Sequence, residues 1–453
     1  MAGSTIITRN GTLGTPTNGK KGTFSYWIKK HLNATNQIKY SNTVQNNGNR
    51  GYLQFNTSDN WRMVDEKGIV LVTNRVFRDT NAWYHIVVAL DSTLGTTTDR
   101  FKLYVNGVQE TSFQTSSYFN NGFPNQNVDF DIFAGGYSGK NFIGKNDGDS
   151  ITSGYSISHF HYTDGYVYDA SAFGSFDNVT GEWQINPSPN VTYGNNGFFI
   201  LKDNNVVTDQ SPNSNDFTVT GNLTKTEDSP SNIYATLNPL FTSSNTINFT
   251  NGNTRATGVD YQNQRTGGTL ASSSGKFYFE SKVTGNAGFG GSIIGIADYD
   301  NANIENSNTW FGSESNFVGF YAASNITVGG GGNTNAYGSI SVGDIIGFAF
   351  DIDNGFAYVS INGTWQNSGV PTSGSTGTGN VNRTGNLNYN FSGKLMGIAG
   401  GFQVTDAWTS NFGNGYFGTT AVSSAGTNAS GNGIFEYDVP TGYTALSTKG
   451  LNL

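Results

Sequence analysis

The chain has no cysteine, three methionines and nine prolines in 453 residues. Without cysteine, disulfide bracing, thiolate metal sites and thiol nucleophiles are excluded. Charge is scarce as well: Asp, Glu, Lys and Arg make up 12% of the chain, about half the usual share. The net charge is −8, and no basic cluster offers a nucleic-acid backbone a surface to bind. No apolar run approaches the ~18 residues of a membrane-spanning helix, so no membrane insertion is expected. The first ten residues, Met1–Asn10, carry neither a basic stretch nor an apolar core, so no secretory signal is expected there. No helical period of useful length appears.

What remains is aromatic and glycine-rich. Phe, Tyr and Trp make up 14% of the residues, with 32 Phe and 23 Tyr, and there are 61 glycines. Aromatic and β-branched side chains suit a pleated, half-buried surface, and glycine and asparagine suit frequent turns. Two stretches show this best. In residues 83–108, Phe101, Leu103 and Val105 alternate with Lys102 and Tyr104. In residues 344–369, Phe348, Phe350 and Ile352 share one face, as do Ala357, Val359 and Ile361. Asn106-Gly107, Asn354-Gly355 and Asn362-Gly363 are type I′ turn candidates, because both central residues must take positive φ. Period-two patterning with this turn chemistry predicts antiparallel sheet packed on one face.

The fold expected is all-β: two antiparallel β-sandwiches in tandem, residues 1–240 and 241–453. The stretch 171–240 either closes the first sandwich or bridges the two. Further strands are expected near 23–28, 51–56, 68–72, 128–133, 155–162, 197–201, 275–280, 292–297, 318–322, 394–402, 407–412 and 433–437, with a short helix near 169–173. The Gly-rich stretches 329–338 and 373–379 are expected to be loop tips. Trp27 and Trp83 sit inside strand patterns and are assigned to the core.

Trp83–Asp91 with Leu103–Gly107 resembles the laminin-G-like branch of the concanavalin A-like sandwiches. Ser274–Glu280, Gly295–Ala297, Gly343–Gly347 and Asp351–Asn362 resemble a SPRY domain, itself a concanavalin A-like jelly roll. The connecting residues His161–Gly165, Phe173-Gly174, Tyr193–Phe198 and Asp209–Phe217, then Ser229–Asn232, Ala235–Leu240 and Val439–Leu446, resemble a tandem found in marine bacteriophage proteins. The resemblance implies a tail-fibre-like or lectin-like virion protein, made in the host cytoplasm and extracellular as part of the particle.

Glucanases on this fold use a Glu-x-Asp-x-x-Glu strand, whose carboxyl groups flank the glycosidic bond. That motif is absent, so no enzyme activity is expected. Glycan binding asks for an exposed aromatic plane beside amide or carboxylate groups. Asn60 with Trp61, Tyr118 with Phe119, Asn308 with Trp310 and Phe311, and Asn362 with Trp365 meet that requirement by composition. Asp147 and Asp149 could offer oxygen ligands to calcium, which wants six to eight. Asp298 with Asp300 and Asp351 with Asp353 are similar pairs, although turn geometry alone explains the last. His159 and His161 share a strand face, a spacing open to a transition metal or to plain aromatic packing. No other cofactor is implied.

The expected function is host-surface adhesion, to a glycan or a protein, by a non-enzymatic fibre or capsid-decoration protein that forms homo-oligomers and contacts other virion proteins. The alternatives are a cement protein binding only virion neighbours, and a carbohydrate-active hydrolase.

Overall fold

The computed structural model describes residues 5–35, 37–43, 50–65, 67, 69–114, 122–133, 141–144, 154–202, 206–243, 247–259, 264–285, 292–305, 311, 314–322, 325–330, 333–404 and 408–453. The described residues are β-strands joined by turns and short 3-10 segments. They divide into two compact units, residues 1–225 with 229–231, and residues 226–228 with 232–453.

Each unit stacks two antiparallel sheets. In the first, a seven-stranded sheet runs in the order Phe217–Thr220, Ile6–Arg9, Phe142–Ile143, Gln37–Thr43, Arg50–Phe55, Asn60–Asp65, Ile69–Val76. Its partner orders Phe198–Ile200, Tyr155–Asp164, Lys21–Lys30, Trp83–Asp91, Phe101–Val105, Val108–Glu110. Strands from the connecting stretch, 198–200 and 217–220, thus lie at an edge of each sheet. In the second unit a seven-stranded sheet orders Leu237–Thr242, Gln264–Ser272, Met396–Phe402, Ile293–Asp298, Phe317–Ala322, Asn325–Gly330, Asn333–Ser339. A five-stranded sheet orders Thr364–Trp365, Phe356–Ile361, Ile345–Asp351, Lys276–Val283, Trp408–Asn411.

The cores follow the period-two rule. Phe24, Tyr26, Ile28, Ile86, Val88, Leu90, Phe101 and Leu103 face Tyr40, Leu53, Phe55 and Met63 in the first unit. Phe277, Phe279, Ile346, Phe348 and Phe350 face Ile294, Ile296, Phe320 and Ile398 in the second.

In both units the other face of the hairpin-bearing sheet is covered too. Residues 168–191 lay Tyr168, Ala170, Phe173, Trp183 and Val191 over Val87 and Tyr104. In the second unit Phe435, Val439, Tyr443 and Ala445 cover Tyr278, Ala349, Phe356 and Tyr358. Trp27 is therefore buried, but beneath this cover and not between the sheets: its ring stacks on His85 at 4.8 Å.

Several sequence expectations are corrected. Residues 128–133 are not a strand but a turn that tucks Phe130 and Phe133 into the core, rings perpendicular and 5.4 Å apart. Residues 433–437 are not a strand either. Their backbone bonds to 413 and 426, which frees Phe435 to cover the sheet. The described part of 329–338 is edge strand, since Asn325–Gly330 pairs with Asn333–Ser339. Asn106-Gly107 and Asn362-Gly363 have the type I′ signature, with φ of 47° and 80°, and of 46° and 79°. Asn354-Gly355 does not: Asp351 pairs with Phe356 across a four-residue loop, where Gly355 alone has positive φ.

Candidate functional site

The sequence-selected aromatics separate sharply in space. Trp61 is fully buried, and its indole N–H donates to the Tyr26 hydroxyl at 3.0 Å. Neighbouring Asn60 is buried and donates to the Arg75 carbonyl. This pair is core, because the strand alternation points Trp61 at the opposing sheet, so it is no surface platform. Phe311 is likewise buried, stacked on Phe317 at 4.2 Å with the Arg265 guanidinium 4.7 Å from its ring centre. Tyr118, Phe119, Asn308, Trp310, Asp147 and Asp149 lie outside the described residues.

Asn362 and Trp365 are brought together at a surface turn. The Asn362 amide oxygen accepts from the Ile345 N–H at 2.9 Å, and its nitrogen donates to Asp344 Oδ1 at 2.8 Å. One amide proton and one lone pair remain for a ligand. Trp365, half-buried on the two-residue edge strand, meets Tyr278 edge-on at 6.4 Å. Sequence reasoning missed the third member, Tyr437, which comes from the covering segment. A Cβ on Gly363 would lie 2.7 Å from Tyr437 Cδ1, so the ring rests on the turn. Burial, with the Glu436, Glu280 and Asp344 carboxylates nearby, pushes the Tyr437 phenol above its ordinary range. No local signal joins position 437 to position 363; only the covering segment's path does.

Glu280 holds that segment in place. It alternates with Phe279 and so points away from the core, yet it has no solvent exposure. Its carboxyl group accepts from the backbone N–H of Glu436 at 2.8 Å and of Tyr437 at 2.9 Å, and from the Tyr278 hydroxyl at 3.0 Å. Burial pushes its pKa up to about 7 against the pull of those donors. Asp65 is also pushed up to about 7, by burial and by nearby Asp131, and is 1% exposed. Both carboxyl groups are buried against backbone N–H donors.

The histidines are packing elements. His161 stacks on Phe199 at 3.8 Å and bonds the Tyr193 hydroxyl through Nδ1. His159 sits in a bulge at φ 47°, its ring 5.8 Å from Phe199 and its Nδ1 bonded to Ser158. Burial and the other histidines push the His161 pKa well below its ordinary value. Asp298 is bonded by Asp300, Asn301 and Lys394. Asp351 is bonded by Asn354 and Lys276. These acids brace turns. Among the described residues no three His, Cys, Asp or Glu are grouped to hold a metal ion.

The sequence profile of the concanavalin A-like lectin/glucanases superfamily matches residues 3–148. No curated protein matches the chain. Similar solved structures include a putative carbohydrate binding protein from Bacteroides ovatus, at 13% identity and a TM-score of 0.32, covering 49% of this chain and 59% of that one. The TRIM65 PSpry domain follows at 9% identity and a TM-score of 0.27, covering 39% of this chain and 87% of that domain. The SPRY domain of human HERC1 has 12% identity and a TM-score of 0.27, covering 38% and 92%. At such scores these likenesses carry no argument about ligand or role. The chain spans less than two thirds of the Bacteroides protein it matches. Profile match and architecture define the class: a lectin-like, multi-domain β-sandwich protein.

Proposed function

We propose that this chain is a bacteriophage virion protein, a fibre or capsid-decoration component, that displays its sandwiches to bind host-surface glycan. The observation that supports it most is the turn at Asn362-Gly363. There, Trp365 and Tyr437 present partly exposed aromatic surface beside the Asn362 amide and the Asp344 carboxylate. The ring faces would cover the apolar C–H side of a sugar, and the amide and carboxylate would fix its hydroxyls. Such single sites are weak, and homo-oligomeric display on a particle multiplies them by avidity. Trp365→Ala should abolish retention on a host-glycan array while leaving the melting temperature within a degree or two. Retention equal to the unaltered chain would remove this site from the account. Mass spectrometry and electron microscopy of purified particles test the virion assignment.

One feature favours the cement reading. The hairpin formed by Gly174–Phe176 and Trp183–Ile185 carries Phe176 at 49% exposure and Val179 at 93%, an apolar tip suited to a virion neighbour. Silence across host glycans, together with loss of particle incorporation for Val179→Asp, would select that role.

A further inference from the structure

Arg9, Tyr40, Asn141, Tyr162 and Asp164 build a polar layer at one end of the first unit's core. Ile7 pairs with Ile143 across adjacent strands, and both face inward. Two residues along on the same face come Arg9 and Asn141, whose backbones are joined by the Arg9 N–H to Asn141 carbonyl bond at 3.0 Å. On the opposing sheet Tyr162 faces inward, and Asp164, two residues on, takes the same side. Tyr40 completes the boundary, its ring centre 6.5 Å from that of Tyr162. The apolar core thus gives way to a layer of one guanidinium, one carboxylate, one amide and two phenols. None is more than 4% exposed.

The layer is closed from outside by backbone. Asp164 Oδ2 accepts from the N–H groups of Thr17 and Asn196 at 2.8 and 2.9 Å. Asn196 in turn bonds the Gly14 N–H and carbonyl. Arg9 donates to the Asn196 carbonyl and to Asn215 Oδ1. Asn213 and Asn215 both donate to the Gly197 carbonyl.

Inside this seal five buried atoms have no hydrogen-bond partner among the described residues: Tyr40 Oη, Tyr162 Oη, Asp164 Oδ1, Asn141 Oδ1 and Asn141 Nδ2. A buried polar group without a partner forfeits its hydration, so five in one layer call for an occupant. The Arg9 charge disfavours a cation, and the Asp164 charge disfavours an anion. Both acceptors and donors are unmet, which suits an amphiprotic neutral molecule. A buried water makes about three hydrogen bonds, so five atoms correspond to about two molecules.

We infer that this layer is a built hydration site in which at least two ordered waters bridge Tyr40, Tyr162, Asp164 and Asn141 between the two sheets. The waters complete the end of the core and join both sheets to the 194–215 segment. The test is a crystal structure of the full chain at about 1.5 Å. The expected result is two or more isolated peaks within hydrogen-bond distance of those five atoms. Tyr162→Phe, crystallised likewise, should lose the peak nearest position 162 and keep the others. Fewer than two peaks overturns the inference, as does direct pairing of these side chains. A single peak with six or more oxygen ligands at calcium distances also overturns it, and so does an unchanged set of peaks in the Tyr162→Phe crystal. If that variant does not fold, the peaks of the unaltered chain alone decide.

Discussion

The two units solve one problem with the same parts but with an imidazole anchor in one and a carboxyl anchor in the other. Each covers the outer face of a hairpin-bearing sheet with a segment that is largely not part of that sheet. In each, an Asn-Gly turn carries the signature: the Asn side chain accepts from the neighbouring strand, from His85 N in one unit and Ile345 N in the other. In each, an aromatic ring of the cover lies on the turn glycine, Trp183 on Gly107 and Tyr437 on Gly363. The buried anchor beneath is what differs. In the first unit it is His85, whose Nδ1 accepts from the Trp183 indole N–H at 2.8 Å. Its Nε2 therefore carries the proton and donates to Ser25 at 2.9 Å. In the second it is Glu280, which accepts from the cover's own backbone. An imidazole that must stay neutral and a carboxyl in a dry site give the two anchors opposite responses to acid.

The largest test of this comparison removes a covering ring. Phe435→Ala should destabilise the second unit by about 3–5 kcal/mol in calorimetric unfolding, because Phe435 is 1% exposed. Trp183→Ala should cost the first unit less, about 2–3 kcal/mol, since its ring is half-exposed while its N–H is bound. Equal, small effects in both would show that the covers are ornaments on already stable sheets.

Acid titration comes next. Burial, with a smaller push from His159, depresses the His85 pKa to about 3 from an ordinary 6.5. A folded-state pKa below the unfolded one gives stability that is full above pH 6.5 and lost as pH falls towards 3. Glu280 is raised from 4.5 to about 7, so its contribution is full below pH 4.5 and lost as pH rises through 7. That contribution is on the order of 3 kcal/mol. Glu280→Gln should flatten the second unit's stability between pH 4.5 and 7, and His85→Gln should flatten the acid loss in the first. Asp65, raised to about 7, acts in the first unit with the sign of Glu280. The difference between His85→Gln and the unaltered chain isolates the imidazole. His85→Gln and Glu280→Gln differences of the same sign across this pH range would break the comparison.

The smallest expected effects are at the turns. Asn106→Ala and Asn362→Ala should each cost about 1–2 kcal/mol, by losing a strand-capping bond and placing alanine at positive φ. Gly107→Ala and Gly363→Ala should cost more than these, because the added methyl meets Trp183 or Tyr437 as well. Denaturant midpoints of the four variants would show whether the turns are equivalent.

The hairpins were legible because their information is local. Alternation assigned Phe101, Leu103, Phe348 and Phe350 to the cores, and Asn-Gly at 106 and 362 set both turns. Of the candidate pairs, Asn362 and Trp365 come together at one surface turn because turn and ring are neighbours in sequence. Trp61 misled because an Asn-Trp pair looks the same at a strand start in the core as at a rim. Tyr437 was missed because it reaches Gly363 from 74 positions away (437 − 363).

By itself the sequence determined the class of structure: antiparallel strands, their inward faces and two tight turns, since a residue's side and a turn's φ depend on its nearest neighbours. Only the tertiary structure decided which outward faces stay wet. The alternation that points Trp27, His85, Tyr278 and Glu280 away from the inter-sheet core says nothing about a distant segment folding back over them. That segment, by removing water, turns solvent-side residues into a second core and sets their charge.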